Sequence, residues 1–131
     1  TKKDIEGVTL VDKETLFRES DIVTLHIALN DETRNFVSSK ELNLMKETAI
    51  IINAARGPII NTNDLAKALN NNKIAGAALD VYDTEHPLSE DNPLLSVKNT
   101  MLLPHIGFAT EEAFELRLGI VVRNVEKYLS R

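Results

Sequence analysis

Short apolar runs rich in Val, Ile and Leu recur along the chain at 8 to 11 (VTLV), 21 to 27 (DIVTLHI), 48 to 54 (TAIIINA), 75 to 80 (AGAALD) and 100 to 103 (TMLL). Each predicts a strand covered on both faces. Segments with helical spacing and start signals separate them. Asp12 can cap a short helix carrying Leu16 and Phe17, and Ser38 with Glu41 forms a capping box ahead of Leu42 and Met45. Asn61 and Asp64 open a helix bearing Leu65, Ala68 and Leu69, and Asn70, Asn71 and Asn72 mark its end. Thr110, Glu111 and Glu112 open the longest helix, where Phe114, Leu118, Val121, Val125 and Tyr128 recur at helical spacing. Strand, helix, strand, helix at this rhythm predicts an α/β fold: a parallel sheet with right-handed crossovers and flanking helices. One stretch breaks the rhythm. Residues 81 to 99, VYDTEHPLSEDNPLLSVKN, read as a loop directly after a strand, with two prolines and four carboxylates. Active sites in open parallel sheets lie at the C-terminal ends of strands, so the chemistry is sought there.

Composition narrows the class. The 131 residues are 43% hydrophobic and 27% charged, the balance of one globular domain. A net charge of -5 would repel a polyanion, so no nucleic-acid partner is expected. Without cysteine there is no disulfide, thiolate metal site or cysteine nucleophile, which fits a reducing compartment, and no metal site is expected. The longest apolar runs, such as AIII at 49 to 52, are far too short to span a bilayer, and TKKDIEG lacks the apolar core of a signal peptide. The expectation is a cytoplasmic domain with no membrane partner.

Three ionisable residues follow three successive predicted strands: Arg56 after INAA, Glu85 after LDVYDT and His105 after LLP. Taken singly, each has an ordinary explanation as a structural histidine, a solvated loop carboxylate or a surface charge. If the three strands are neighbours, all three side chains converge on one crevice. His26 reads as a packed or edge histidine of its strand, and His86 as a loop residue.

The segments around these residues carry a resemblance. NAARGPIIN (53 to 61), AALDVYDTEHPL (77 to 88) and LLPHIGFATEEA (102 to 113) resemble signature segments of the D-isomer-specific 2-hydroxyacid dehydrogenase family, as does DIVTLHIALNDETRNFVSSKELNLMK (21 to 46) upstream. The resemblance covers essentially the whole chain and implies a Rossmann-like, NAD-binding fold that interconverts a 2-oxo acid and a D-2-hydroxy acid by hydride transfer. It assigns Arg56, Glu85 and His105 as the catalytic set. Arg56 would hold the substrate carboxylate or polarise the ketone, and His105 would protonate the developing alkoxide. Glu85 would orient His105 and stabilise its imidazolium. The same comparison assigns cofactor contacts to Ile27, Ala28, Thr33, Ala54, Ala55, Arg56, Asp80, His105 and Gly107. Asp80 would receive the nicotinamide carboxamide or ribose, its ordinary alternative being a turn cap. Two positions depart from the family pattern: Ala28 stands where Pro is usual, and Phe108 where a small residue is common, which would narrow the site or alter substrate preference. Glu85 argues against the formate dehydrogenases, which carry Gln there.

Residues 1 to 131 contain no G-x-G-x-x-G, and their five glycines are scattered. The resemblance therefore implies the C-terminal portion of a dinucleotide-binding domain, with the first βαβ unit and the substrate domain absent from this chain, which alone would turn over little. On that reading the strand at 21 to 27 loses a neighbour and one covering helix, and is expected to bury its edge against another copy or against residues 1 to 11. NAD is the expected cofactor, with NADP kept open by Lys2 and Lys3, whose ammonium groups could meet a 2'-phosphate. The expected partners are a small 2-oxo or 2-hydroxy acid and further copies of the protein, the family being typically dimeric. A nucleotide-sensing corepressor of the same family is the alternative from another class, and a scaffold piece without a site is the third reading.

Overall fold

The computed structural model describes residues 5–84 and 88–130. Lys2, Lys3, Glu85 and His86 lie outside the described residues. Four parallel strands, β1 (Ile22–Leu25), β2 (Ile50–Asn53), β3 (Gly76–Leu79) and β4 (Thr100–Leu102), form one sheet in the order of the chain. The register sets Leu25 beside Asn53 and Asn53 beside Leu79, which in turn pairs with Leu102. All four strands therefore end at nearly one level, and the loops that follow them share one rim of the sheet.

The helices begin where side chains satisfy their first amides. In α1 (Lys13–Glu19) Asp12 accepts from Thr15 N at 2.8 Å, and in α3 (Thr62–Asn70) Asn61 accepts from Asp64 N at 3.1 Å. The four-residue α2 (Ser39–Leu42) is closed by Glu41, whose carboxylate accepts from the Ser38 amide and hydroxyl. Thr110 caps α4 (Glu111–Leu129). Helix α3 buries Leu65, Ala66, Ala68 and Leu69. Together with Phe17 of α1, Leu42 of α2 and Met45 they pack on Val23, Ile51 and Leu79 of the sheet to form the core. Each such side chain contributes about 1.5–3 kcal/mol by leaving water.

Two expectations fail. Residues 8–11 form no strand, and Val8, Leu10 and Val11 are exposed. A strand needs a neighbour's ladder to satisfy its backbone groups, and no described strand runs beside this segment, nor does it fold back along β1. At β1 and β2 the sheet is also covered on one face rather than two, in line with the covering helix that residues 21 to 27 were expected to lose, whereas β3 is buried or partly buried throughout. Burial alternates along β1 and β2, with Val23, Leu25, Ile51 and Asn53 buried while Ile22 and Ile50 are exposed. Likewise α4 forms as its spacing predicts, yet buries none of its residues. No helix among the described residues is long and apolar enough to cross a membrane.

A single buried carboxylate joins α1 to α2. Glu41 is only 5% exposed and lies 2.9 Å from Lys13 Nζ, which also donates to the Phe36 carbonyl and sits over the Phe36 ring. Burial pushes the Glu41 carboxyl upward, but the Lys13 ion pair and the two Ser38 donors outweigh it and hold the group at about 2. A carboxylate whose folded pKa is depressed stabilises the fold above its unfolded value, and the stabilisation is lost as pH falls through the folded value. Stability is therefore expected to decline between about pH 4.5 and 2 in a step that Glu41→Gln removes. The size of that step should be about 1–2 kcal/mol, given the partial exposure of Lys13. Urea titrations of both proteins across this range measure it, and an identical acid profile for Glu41→Gln would refute the assignment.

Candidate active site

The rim at the strand ends is built by hydrogen bonds, some within a single turn and some across from one loop to the next. Asn53, buried at the end of β2, accepts from the Ala55 amide at 3.1 Å and donates to the Arg56 carbonyl at 2.9 Å. The chain is thereby folded tightly through Ala54, Ala55 and Arg56, and the Arg56 side chain is left exposed on the rim. Gly57 follows because nothing larger fits: a Cβ there would lie 2.0 Å from the Tyr82 backbone. The segment beyond is stitched to residues 35–37, with Asn35 N donating to Pro58 O and Val37 N to Ile59 O. Arg56 thus stands on a loop fixed on both sides.

The loop after β4 is held from β3. Asp80, 6% exposed, accepts from Ile106 N at 2.8 Å through one oxygen and from Gly107 N at 2.7 Å through the other. A Cβ on Gly107 would approach that second oxygen to 2.8 Å. Between this clamp and β4, His105 adopts φ 57°, a left-handed conformation that few non-glycine residues take, histidine being among those that do so more often. Tyr82 braces the same loop by donating its hydroxyl to Leu103 O at 2.9 Å. Burial and the neighbouring Asp80 charge raise its phenol above the ordinary value, so the donor stays protonated. Thr62 donates to Asp83 at 2.6 Å and ties down the segment that follows β3.

Two cavities open along this rim. One, of about 460 Å³, is lined by His26, Ile27, Ala28, Leu29, Ala54, Ala55 and Arg56. The other, of about 320 Å³, is lined by Ala54, Arg56, Asp80, His105, Gly107, Phe108 and Arg117. Ala54 and Arg56 belong to both, so the two form one crevice along the strand ends. Of the residues singled out from sequence, Thr33 lines neither. Its hydroxyl accepts from Asn30 N and donates to Ala28 O at 2.7 Å, shaping the loop that presents Ile27 and Ala28. The Glu85 position lies outside the described residues.

The residues 1–107 match the sequence profile of the NAD binding domain of D-isomer specific 2-hydroxyacid dehydrogenases. The chain belongs to that family. It is 47% identical over 119 residues to a glyoxylate reductase of Thermococcus litoralis, a match covering 91% of this chain and 35% of the relative. The chain thus spans about a third of that relative's length. Among solved structures, a D-lactate dehydrogenase from Sporolactobacillus superposes with a TM-score of 0.86 at 37% identity, over 92% of this chain and 40% of the other. An acyclic imino acid reductase in complex with NADPH and D-Arg gives 0.87 at 35% identity, over 98% of this chain and 41% of the other. In this chain the Rossmann-like sheet places two of the three expected catalytic residues, Arg56 and His105, on one cavity.

Sequence reasoning missed Asn53 and Arg117. Asn53 carries a signal, a polar residue closing an apolar strand just before a turn. Arg117 stands twelve residues after His105, and only the helical phase of α4 over the preceding loop brings it to the crevice.

The clamp can be tested directly. Asp80→Asn keeps one acceptor but sets an amide donor against a backbone donor, a mismatch of about 1–3 kcal/mol. Amide hydrogen exchange at Ile106 and Gly107 is expected to accelerate about tenfold or more, with exchange in α3 unchanged. Equal protection of both amides in the variant would show that Asp80 does not hold this loop.

Proposed function

We propose that this chain is the C-terminal portion of the dinucleotide-binding domain of an NAD(P)-dependent D-2-hydroxyacid dehydrogenase, which reduces a 2-oxo acid to a D-2-hydroxy acid. The observation that carries the reading is the joint placement of Arg56 and His105 on one cavity that continues past Ala54 into a second. The lining suits a nicotinamide nucleotide: Ala54 and Ala55 offer a wall with no side chain beyond Cβ, and Gly107 brings backbone to the surface. Ile27 and Ala28, with Thr33 supporting their loop, would line the side towards the adenine. Asp80 and Gly107 would lie at the nicotinamide end. When bound, the cofactor supplies the hydride that C2 of the 2-oxo acid receives.

The chain's own residues do the rest. Arg56 pairs its fork with the substrate carboxylate, or polarises the ketone, and stays charged throughout. His105 delivers one proton to the carbonyl oxygen, which takes the displaced π electron pair, so a hydroxyl forms with charge balanced. Glu85 orients the imidazole and stabilises its protonated form. The same reading makes the protein a cytoplasmic homo-oligomer acting on small molecules, and the net charge of -5 supports the absence of a nucleic-acid target. NAD is the proposed cofactor, with NADP as its alternative.

In the full-length protein, His105→Ala is expected to lower kcat for 2-oxo acid reduction by about 100-fold or more. The Kd for NADH, measured by fluorescence titration, should change by less than about threefold, because the proton donor acts in the transition state. Near-normal turnover in His105→Ala would remove it from the catalytic role.

A further inference from the structure

The cavity holding Arg56 and His105 contains a second guanidinium. Arg117, in the second turn of α4, has its guanidinium carbon 5.0 Å from the centroid of the Phe108 ring, within cation–π range. Phe108 in turn meets the His105 ring edge to face at 5.8 Å, and Phe114 meets Phe108 at 6.5 Å. Phe108 therefore links Arg117 to His105 through two ring contacts, at a position where the family commonly has a small residue. Asp80, the carboxylate of this lining, already accepts from two backbone amides. Two guanidinium groups thus face a space in which a simple 2-oxo acid presents one carboxylate.

We infer that Arg117 is a specificity-determining residue that binds a second anionic group at the far end of the substrate, so that the preferred substrates are short 2-oxo acids carrying two anionic groups. This rests on the proposed dehydrogenase activity. Arg56 takes the carboxylate next to the ketone, and Arg117 takes the distal group through its planar fork, which matches a carboxylate or phosphate oxygen pair. Both guanidinium groups line the one cavity of about 320 Å³, which places the distal group beside the carboxylate that Arg56 holds. Phe108 supplies the apolar wall against which the chain between the two groups lies.

The test compares full-length wild type with Arg117→Met and Arg117→Lys. The substrates are glyoxylate and pyruvate, oxaloacetate and 2-oxoglutarate, and a phosphorylated hydroxypyruvate. Arg117 is exposed at a helix surface, and Met keeps its apolar stem, so the fold should be retained. In Arg117→Met, kcat/KM for the doubly anionic substrates is expected to fall about 10- to 100-fold, the loss of one charge-assisted contact, while glyoxylate changes less than about threefold. Arg117→Lys should recover part of the loss, and the Kd for NADH should stay constant. A preference for the two diacids or for the phosphoester identifies which distal group is bound. The inference is overturned if wild type prefers glyoxylate over every doubly anionic substrate, if Arg117→Met lowers all substrates equally, or if it weakens NADH binding instead. A wild type that reduces no 2-oxo acid at all overturns the proposed activity, a result distinct from each of those three.

Discussion

Asp80 ends the third strand with its carboxylate turned into the protein, one oxygen on the amide of Ile106 and the other on that of Gly107. The geometry of the rim depends on this contact. It pins the two residues that follow His105, whose left-handed backbone conformation persists only where the surrounding structure holds it. Aspartate suits the place because its short side chain leaves little freedom to lose and its charge strengthens both bonds. A buried carboxylate is costly when unpartnered, so the loop and the acid stabilise one another.

The sheet makes such a contact reachable. Parallel neighbours lie about 5 Å apart, and equal strand ends bring the turns after β2, β3 and β4 side by side. Asn53 shapes the first turn, Gly57 lets it lie directly against Tyr82, and Tyr82 passes support to the loop before His105. The Lys13 and Glu41 pair works from the other side, fixing residues 36 to 38, which in turn hold the segment beyond Arg56. The loops after β2, β3 and β4 are thus each positioned by an element distant in sequence.

Much of this was legible beforehand. Runs such as TAIIINA and TMLL became strands, and Asp12, Glu41, Asn61 and Thr110 stand at helix starts, since both signals are local. VTLV failed because local apolarity specifies a strand only where a partner ladder lies beside it, and no described strand does. Coverage of the sheet failed for the same kind of reason: Ile22 and Ile50 are apolar yet exposed, and residue type alone does not say which face is packed. At the rim, strand-end logic put Arg56 and His105 in one cavity. It could not show that both oxygens of Asp80 are engaged by the backbone, nor that Thr33 works on its own loop. Those are outcomes of loop path, and a loop path is settled by contacts among many residues at once.

The backbone positions with positive φ show a division of labour between residue types. Three asparagines, Asn35, Asn72 and Asn99, take left-handed turns beside His105 and Gly7, while Gly57, Gly76 and Gly107 are placed where another group would collide with a side chain. Asparagine tolerates that conformation with a side chain attached, and it leaves the unfolded chain fewer conformations than glycine would. Chain reversal is therefore achieved with a smaller entropic advantage to the unfolded state. Gly57 and Gly76, in contrast, stand at places of close backbone approach and Gly107 lies against the Asp80 carboxylate, so that two of these three glycines are on the rim where Arg56 and His105 stand.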